Sequence, residues 1–248
     1  MERYVQIATN ALRLQAENQR LITSGLANQN TVAFRRDYAN ATSTYFEGQT
    51  GMDRVFPSRG EGSVDLEQGK FIPTENPLDV AIENDGFFAA KKDNGEDVLT
   101  RRGDMRIGAD RILRNGENLI VQGDVGPITV PPYERIAITH DGTVQITAPG
   151  AEPNALPTTV GRLKLVNTPA TNIEKKTDGL MHTKDGAILA ADAGITLNTK
   201  GLEASNINPF DSMVEMLKSS RAFELNVKLL ATAKELDDAT AKLMRSDR

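Results

Sequence analysis

Near the C-terminus, Met213, Met216, Ser220, Phe223, Val227 and Leu230 recur at alternating steps of three and four residues. After a one-residue slip the series resumes at Ala233, Leu236, Thr240 and Leu243. This spacing makes a narrow coiled-coil seam, not the wider stripe of an ordinary surface helix. Glu215, Lys218, Lys228, Lys234, Asp237, Asp238 and Lys242 fall off the seam, so the remaining faces are wet. Between Leu202 and Arg245 there is no Gly and one Pro, Pro209, and good helix formers dominate from Met213 onward. The pattern predicts a long helix over this stretch, and a narrow apolar stripe on it requires a partner helix.

The N-terminus supplies a matching stripe. Tyr4, Ile7, Ala11, Leu14, Asn18 and Leu21 follow the same alternation, with Gln6, Arg13, Glu17 and Arg20 off it. A first helix is expected from Glu2 to Gly25 or slightly beyond, with Gly25 loosening its end. Two amphipathic helices packed on one globule satisfy this spacing. So do two chain ends that pair as a stem and then pack on other chains. Asn18, Ser220 and Thr240 sit on the stripes, where polar residues set register at some cost in stability.

Between the helices, residues 38–69 show no convincing period and carry Pro57 and Gly48, Gly51, Gly60, Gly62 and Gly69. They read as an extended or short-strand linker. From Pro77 the pattern turns to β. Leu78 to Glu83 alternates, and Phe87 to Lys91, Leu119 to Val121, Ile136 to Ile138, Gly161 to Val166 and Gly186 to Leu189 are strand candidates. Asn84-Asp85-Gly86, Asp93-Asn94-Gly95, Arg102-Gly103-Asp104, Asn115-Gly116 and Asp141-Gly142 punctuate them, the chemistry of successive hairpins. Pro149 to Pro157 reads as a loop. The expected fold class is α+β: a discontinuous coiled-coil stem from residues 1–34 and 202–248, a linker over 35–75, and a central all-β domain over 76–201.

Composition narrows the function. A net charge of -5 gives no basic face for nucleic acid, and 5% aromatics with no Trp leave few stacking platforms. The absence of Cys removes disulfides and thiolate chemistry. No run approaches the roughly 18 apolar residues of a membrane span. Glu2, Arg13, Glu17 and Arg20 interrupt the N-terminus and no apolar h-region follows Met1, so any export is expected to use no cleaved signal.

The search for chemistry ends without a constellation. His140 and His182 have no ligand partners at metal spacing, and no Gly-x-Ser-x-Gly elbow, Walker loop or dinucleotide fingerprint occurs. Asp93 to Asp97 lacks the calcium-loop pattern and reads as a hairpin cap. Arg102-Gly103-Asp104 matches an adhesive tripeptide but reads as a turn. Asp237 and Asp238 are neighbours on a helix and point to different faces. Arg35-Arg36, Lys91-Lys92 and Lys175-Lys176 read as ordinary surface doublets. The expectation is a structural or interaction protein, with no enzyme activity, no cofactor, no metal, no small-molecule substrate and no nucleic-acid partner.

Three stretches carry a resemblance. Leu26 to Arg35 is similar to the Ala-Asn-x-x-Thr-x-Gly-Phe signature of the bacterial flagellar axial proteins, the rod and hook family. Ala33 stands where that family usually has Gly, so the backbone there should either avoid positive φ or be strained. Asn76 to Phe88, Thr100 to Asp104 and Gln122-Gly123 resemble the family's shared core. Gly201 to Asn206, with Ser220 to Glu224 beyond it, resembles the C-terminal signature, Phe223 standing where Tyr is common. The resemblance implies a subunit that passes through the flagellar type III export apparatus and joins the basal-body rod across the periplasm. Its partners would be copies of itself and other proximal- and distal-rod subunits, met through the two apolar stripes together with Asn28, Thr31 and Phe34. Its role would be to transmit torque. Length and the run Leu119 to Val144 look nearest to proximal-rod members. A distal-rod or other axial subunit, or a secreted β domain on a helical stem, is the alternative.

Overall fold

In the computed structural model, which describes residues 2–38, 41–46, 54–59, 63–152, 155–176, 178–186 and 189–246, the N-terminal stripe lies on helix α1, Glu2–Ala27. Gly25 does not loosen its end. That residue is buried, and a β-carbon there would stand 3.1 Å from Ile207 Cδ1, so a close packing contact carries the helix through it. The helix stops where Asn28 donates both its backbone N–H (3.1 Å) and its side-chain amide (2.9 Å) to the Ser24 carbonyl, satisfying an orphan acceptor of the last turn.

The C-terminal helix, α2, spans Pro209–Ser246 and so begins well after Leu202. Pro209 holds the first helical position, where a missing N–H costs nothing. Asn208 caps the helix, its side-chain oxygen accepting the Phe210 N–H at 3.1 Å. Gly201–Glu203 forms a strand paired antiparallel with Phe71–Pro73. Assigning residues from 202 onward to the stem is thereby corrected: a distant strand partner outcompetes local helix propensity.

The described chain divides into two compact units. The first comprises residues 1–28, 37–65 and 207–248. In it α1 and α2 pack antiparallel, since Gln15 meets Ser219 while Gly25 lies against Ile207. Gln15 Nε2 donates to Ser219 Oγ at 2.7 Å and to the Ser219 carbonyl at 2.9 Å. The linker segment here makes short ladders, Ala41–Phe46 with Arg54–Arg59 and Asp37–Tyr38 with Ser63–Val64.

The second unit comprises residues 29–36 and 66–206. An eight-stranded antiparallel sheet runs in the spatial order Ile173–Lys175, Met181–Thr183, Asp97–Thr100, Phe87–Lys91, Ile120–Val121, Leu113–Asn115, Met105–Ile107, with Leu165–Val166 also on Phe87–Lys91. Arg135–Ile138, Thr143–Thr147 and Thr158–Arg162 form a three-stranded sheet. Their alternation is visible in burial, Ile136 and Ile138 inward with Ala137 outward, Val144 and Ile146 inward across the ladder. Those four residues join Phe88, Leu113, Leu165 and Leu197 in the main core. Each such apolar side chain contributes about 1.5–3 kcal/mol on full burial.

The hairpin chemistry acts as its residues require. Gly86, Gly95 and Gly142 all have positive φ in the turns that join the strands. Asn115-Gly116 turns Leu113–Asn115 back onto Ile120–Val121. The Arg102-Gly103-Asp104 segment is a tight connection in which a β-carbon on Gly103 would stand 1.7 Å from the Val80 carbonyl oxygen. The strand candidate Gly186 to Leu189 includes positions outside the described residues.

Candidate functional site

The segment that follows α1 and the segment that precedes α2 are laced together in the second unit. The Ala33 N–H donates to the Glu203 carbonyl (2.8 Å), the Asn206 N–H to the Phe34 carbonyl (3.2 Å), and the Arg36 N–H to Asn206 Oδ1 (2.9 Å). Ala33 is buried with φ at 54°, so the strained alternative holds. A left-handed L-residue costs roughly 1–2 kcal/mol.

This lacing carries Arg35 inward. It is 1% exposed, which corrects its reading as part of a surface doublet. Glu203 is buried with it. Glu203 Oε1 lies 2.6 Å from Arg35 Nη2 and accepts the Gly69 N–H at 2.8 Å, while Oε2 is 3.6 Å from Arg101 Nη1. Gly69 is required there, because a β-carbon would stand 1.9 Å from the Ala204 carbonyl oxygen. Arg101 Nε donates to the Gly86 carbonyl at 2.8 Å, its Nη2 donates to the Asn84 carbonyl, and its guanidinium lies over the Phe87 ring. Lys175 Nζ donates to the Arg35 carbonyl at 3.0 Å and sits 4.3 Å from the centre of the Phe34 ring.

Two buried guanidiniums thus share one carboxylate. Burial pushes the Arg101 guanidinium down to about 10; Glu203 opposes that shift and Arg35 adds to it. Removing one partner of such a group costs about 3–5 kcal/mol, because the survivor is left charged and uncompensated. Sequence reasoning missed all three residues. Each lies inside a stretch that carries the family resemblance, but a single charge has no periodicity to betray its burial.

The residues expected to contact other subunits are distributed as follows. On α1, Ala11, Leu14 and Leu21 are half-buried and Asn18 is exposed, so the polar contact of this stripe is Gln15 and not Asn18. The side chains of Tyr4, Ile7, Leu236 and Leu243 lie outside the described residues. Asn28 caps α1, the Thr31 carbonyl accepts the Phe34 N–H at 3.3 Å, and all three of Asn28, Thr31 and Phe34 are half-buried. On α2, Met216, Ser220 and Leu230 are half-buried, whereas Met213, Phe223 and Val227 are exposed.

The side of α2 turned inward is instead marked by Ser212, Ser219, Ala222, Asn226 and Leu230. The register differs from the expected one because small and polar side chains let the two backbones approach. The opposite side carries Phe210, Met213, Val214, Leu217 and Leu225, each more than half exposed.

The remaining candidates have local roles. Arg102 pairs bidentately with Asp104 at 2.7 and 2.9 Å across a buried Gly103, so the adhesive tripeptide is a closed turn. Asp93 to Asp97 turns Phe87–Lys91 into Asp97–Thr100. His140 Nδ1 lies 2.6 Å from the Leu197 carbonyl. His182 is buried between Asp178 (3.2 Å) and Glu96 (3.5 Å), which Lys92 also bridges. For Asp178, burial opposes ionisation, but Lys92, the Leu180 N–H and His182 outweigh it and hold the carboxyl at about 2. The Thr139 and Thr143 hydroxyls hold Asp141 at about 2. Among the described residues no group of three or more His, Asp or Glu is placed to hold a metal, and no helix is long and apolar enough to cross a membrane.

Comparison with known proteins gives two domain matches. The flagellar hook protein FlgE/F/G D1 domain matches residues 81–146, which include Arg101. The flagellar basal body rod FlgEFG protein C-terminal domain matches residues 199–243, which include Glu203. The chain is 30% identical to the flagellar basal-body rod protein FlgF of Salmonella typhimurium, over 98% of this chain and 99% of that protein. It is 30% identical to FlgF of Escherichia coli over 94% of each chain. The flagellar basal-body rod protein FlgG of Caulobacter vibrioides is 28% identical over 96% of this chain and 98% of its own.

Two outcomes follow from this geometry. Ala33→Gly relieves the left-handed backbone and is expected to raise unfolding stability by about 0.5–1 kcal/mol in urea titrations; a loss of stability would show that Ala33 is unstrained. The folded carboxyls of Asp178 and Asp141 ionise below the ordinary unfolded value of about 3.9. Their contribution is therefore complete above pH ~4 and disappears as pH falls toward ~2. Thermal melts between these pH values should fall for the native chain and fall less steeply for Asp178→Asn. Parallel curves would reject the Asp178 pairing.

Proposed function

The chain belongs to the flagellar basal-body rod protein family and is a structural rod subunit, and from that premise we propose that α1 and α2 build the rod by packing on the same helices of neighbouring copies. The observation that carries this reading is the outward side of α2. Phe210, Met213, Val214, Leu217 and Leu225 expose large apolar area along one side of a 38-residue helix. Monomeric proteins rarely leave such a stripe in water, and at about 1.5–3 kcal/mol per side chain its burial would drive association.

The α1-facing side and the outward side have different chemistry, so a neighbour meets a surface unlike the one already occupied within the chain. Contacts between unlike surfaces, repeated with a rotation that does not close into a ring, generate a helical filament. Met213, Phe223 and Val227, exposed in the single chain, then become interface residues. Asn28, Thr31 and Phe34 act mainly by fixing the segment after α1. The small, polar α1–α2 contact suits a stem that orders fully as a coiled coil only in the assembled tube. It also suits a chain that must thread through the type III export apparatus with its helices unfolded.

The near end-to-end similarity to FlgF at 30% identity, against 28% to FlgG, supports a place in the proximal rod. There the subunit would pass torque between the motor and the distal rod without turnover of any substrate.

Replacing Leu217 and Leu225 together with Asp should leave the purified chain's melting profile unchanged. Two carboxylates in place of two buried leucines would weaken each subunit contact by more than about 3 kcal/mol, over a hundredfold. A strain relying on this variant should assemble no rods and should not spread in soft agar. Normal spreading would refute the role given to this side of α2.

A further inference from the structure

The strand Phe71–Pro73 is exposed along its whole length, and Phe71 (46%) and Ile72 (51%) leave large apolar side chains in water. Among the described residues it pairs only with Gly201–Glu203, Ile72 standing opposite Leu202. Gly201 and Glu203 are buried, so alternation puts Ile72 and the half-buried Leu202 on the outer face of this two-stranded ribbon. Phe71 belongs to the inner face, where its ring fills the space a β-carbon on Gly201 would need, yet nearly half of it stays exposed. Lys70 stands at one end of the ribbon. Glu75 and Lys200 stand at the other, where the Thr74 and Glu75 N–H groups donate to the Lys200 carbonyl at 2.9 and 3.2 Å. All three charged residues are exposed, and none has an ion-pair partner among the described residues.

An apolar centre rimmed by charge has the anatomy of a protein interface. Addition of a further strand is discouraged there, because Lys70 and Pro73 lie on the free strand and both residue types guard sheet edges. The face of the ribbon suits a helix laid across it instead. The outward side of α2 has the matching chemistry: Phe210, Val214 and Leu217 are exposed over its first two turns. Asp211 and Lys218 lie seven residues apart on one flank of that side, both exposed and without an ion-pair partner among the described residues. The lengths agree, about 10 Å for three strand residues and about 10 Å of rise from Phe210 to Leu217. We propose that the first two turns of α2 in one copy pack on this ribbon in a neighbouring copy, with Asp211 set against Lys70 and Lys218 toward Glu75. Lys200 offsets the charge at the Glu75 end, so the Asp211–Lys70 pair carries the electrostatic part of the contact.

This contact rests on the assembly reading and names what covers one end of α2's outward side, leaving Leu225 for neighbouring helices. The native chain has no Cys, so single-cysteine variants report it cleanly. Full-length Ile72→Cys and Val214→Cys chains are mixed under assembling conditions and mildly oxidised. The mixture should give several-fold more disulfide-linked dimer than either variant alone, or than Thr158→Cys mixed with Val214→Cys. Lys70→Glu in the Ile72→Cys chain should lower that yield several-fold, and Asp211→Lys in the Val214→Cys chain should restore it. Every substituted position except Val214 on its helix lies in or beside a strand, all are exposed, and each variant should melt with the native chain.

Sedimentation of the native chain, run alongside, separates the two readings. If the protein associates but the mixture cross-links no better than the control pair, this contact is overturned and the assembly reading stands. If Ile72→Cys links chiefly to itself, two ribbons meet and α2 is not the occupant. If the native chain does not associate at all, the assembly reading fails, and this contact fails with it.

Discussion

The carboxylate of Glu203 is the constraint on which the second unit depends. Its two oxygens meet Arg35, the Gly69 N–H and, at longer range, Arg101. Those groups come from the segment after α1, the strand region before Phe71–Pro73, and the end of Asp97–Thr100. Glu203 itself closes the strand that precedes α2. Buried charges are costly unless paired, so this cluster admits few alternative packings. A segment that slipped by one residue would leave a guanidinium or a carboxylate alone in the interior. The apolar core supplies most of the stabilisation, but hydrophobic contacts tolerate exchange in a way that a shared buried charge does not. The strain at Ala33 and the glycine at position 69 belong to the same arrangement, since both allow backbones to come close enough for Arg35 to reach Glu203.

The first unit follows a different logic. Its helices meet through Gln15 and Ser219, and Ser212, Ser219 and Ala222 mark the inward side of α2, small side chains that bury less apolar area than the large residues opposite would. Phe210, Val214, Leu217 and Leu225 remain in water. A chain optimised to be stable alone would place the large residues inward and the serines outward. The inverse arrangement is what a subunit needs if its helices are completed by neighbours. One unit thus resists rearrangement through paired buried charges, while the other leaves large apolar side chains in water.

Much of this was legible from local pattern. Asn84 to Gly86, Asp93 to Gly95 and Asp141-Gly142 require particular backbone dihedrals, and the dihedrals alone force the chain back on itself. The two long helices followed from their period. What local pattern could not show was pairing at long range. Gly201–Glu203 lies beside good helix formers, and its strand partner, Phe71–Pro73, is remote in sequence. Arg35 looked like half of a basic doublet because charge predicts exposure unless a partner is known. The register of α2 was missed for a related reason. Periodicity assigns the inward side to the largest apolar residues, and here those residues face solvent in the single chain. The motif resemblance held the missing information, since Arg35, Arg101 and Glu203 each fall inside one of its stretches, but it did not say that they touch.

The most direct test of the buried cluster is a double-mutant cycle with Arg35→Met and Glu203→Gln, each alone and combined. Stability would be read in the full chain from hydrogen exchange of core amides such as Val144 and Leu165. A shared buried charge predicts that the two losses fail to add, with a coupling of about 2–4 kcal/mol. Losses that add to within about 0.5 kcal/mol would mean that Arg35 and Glu203 act independently, and the cluster would not be what holds these segments together.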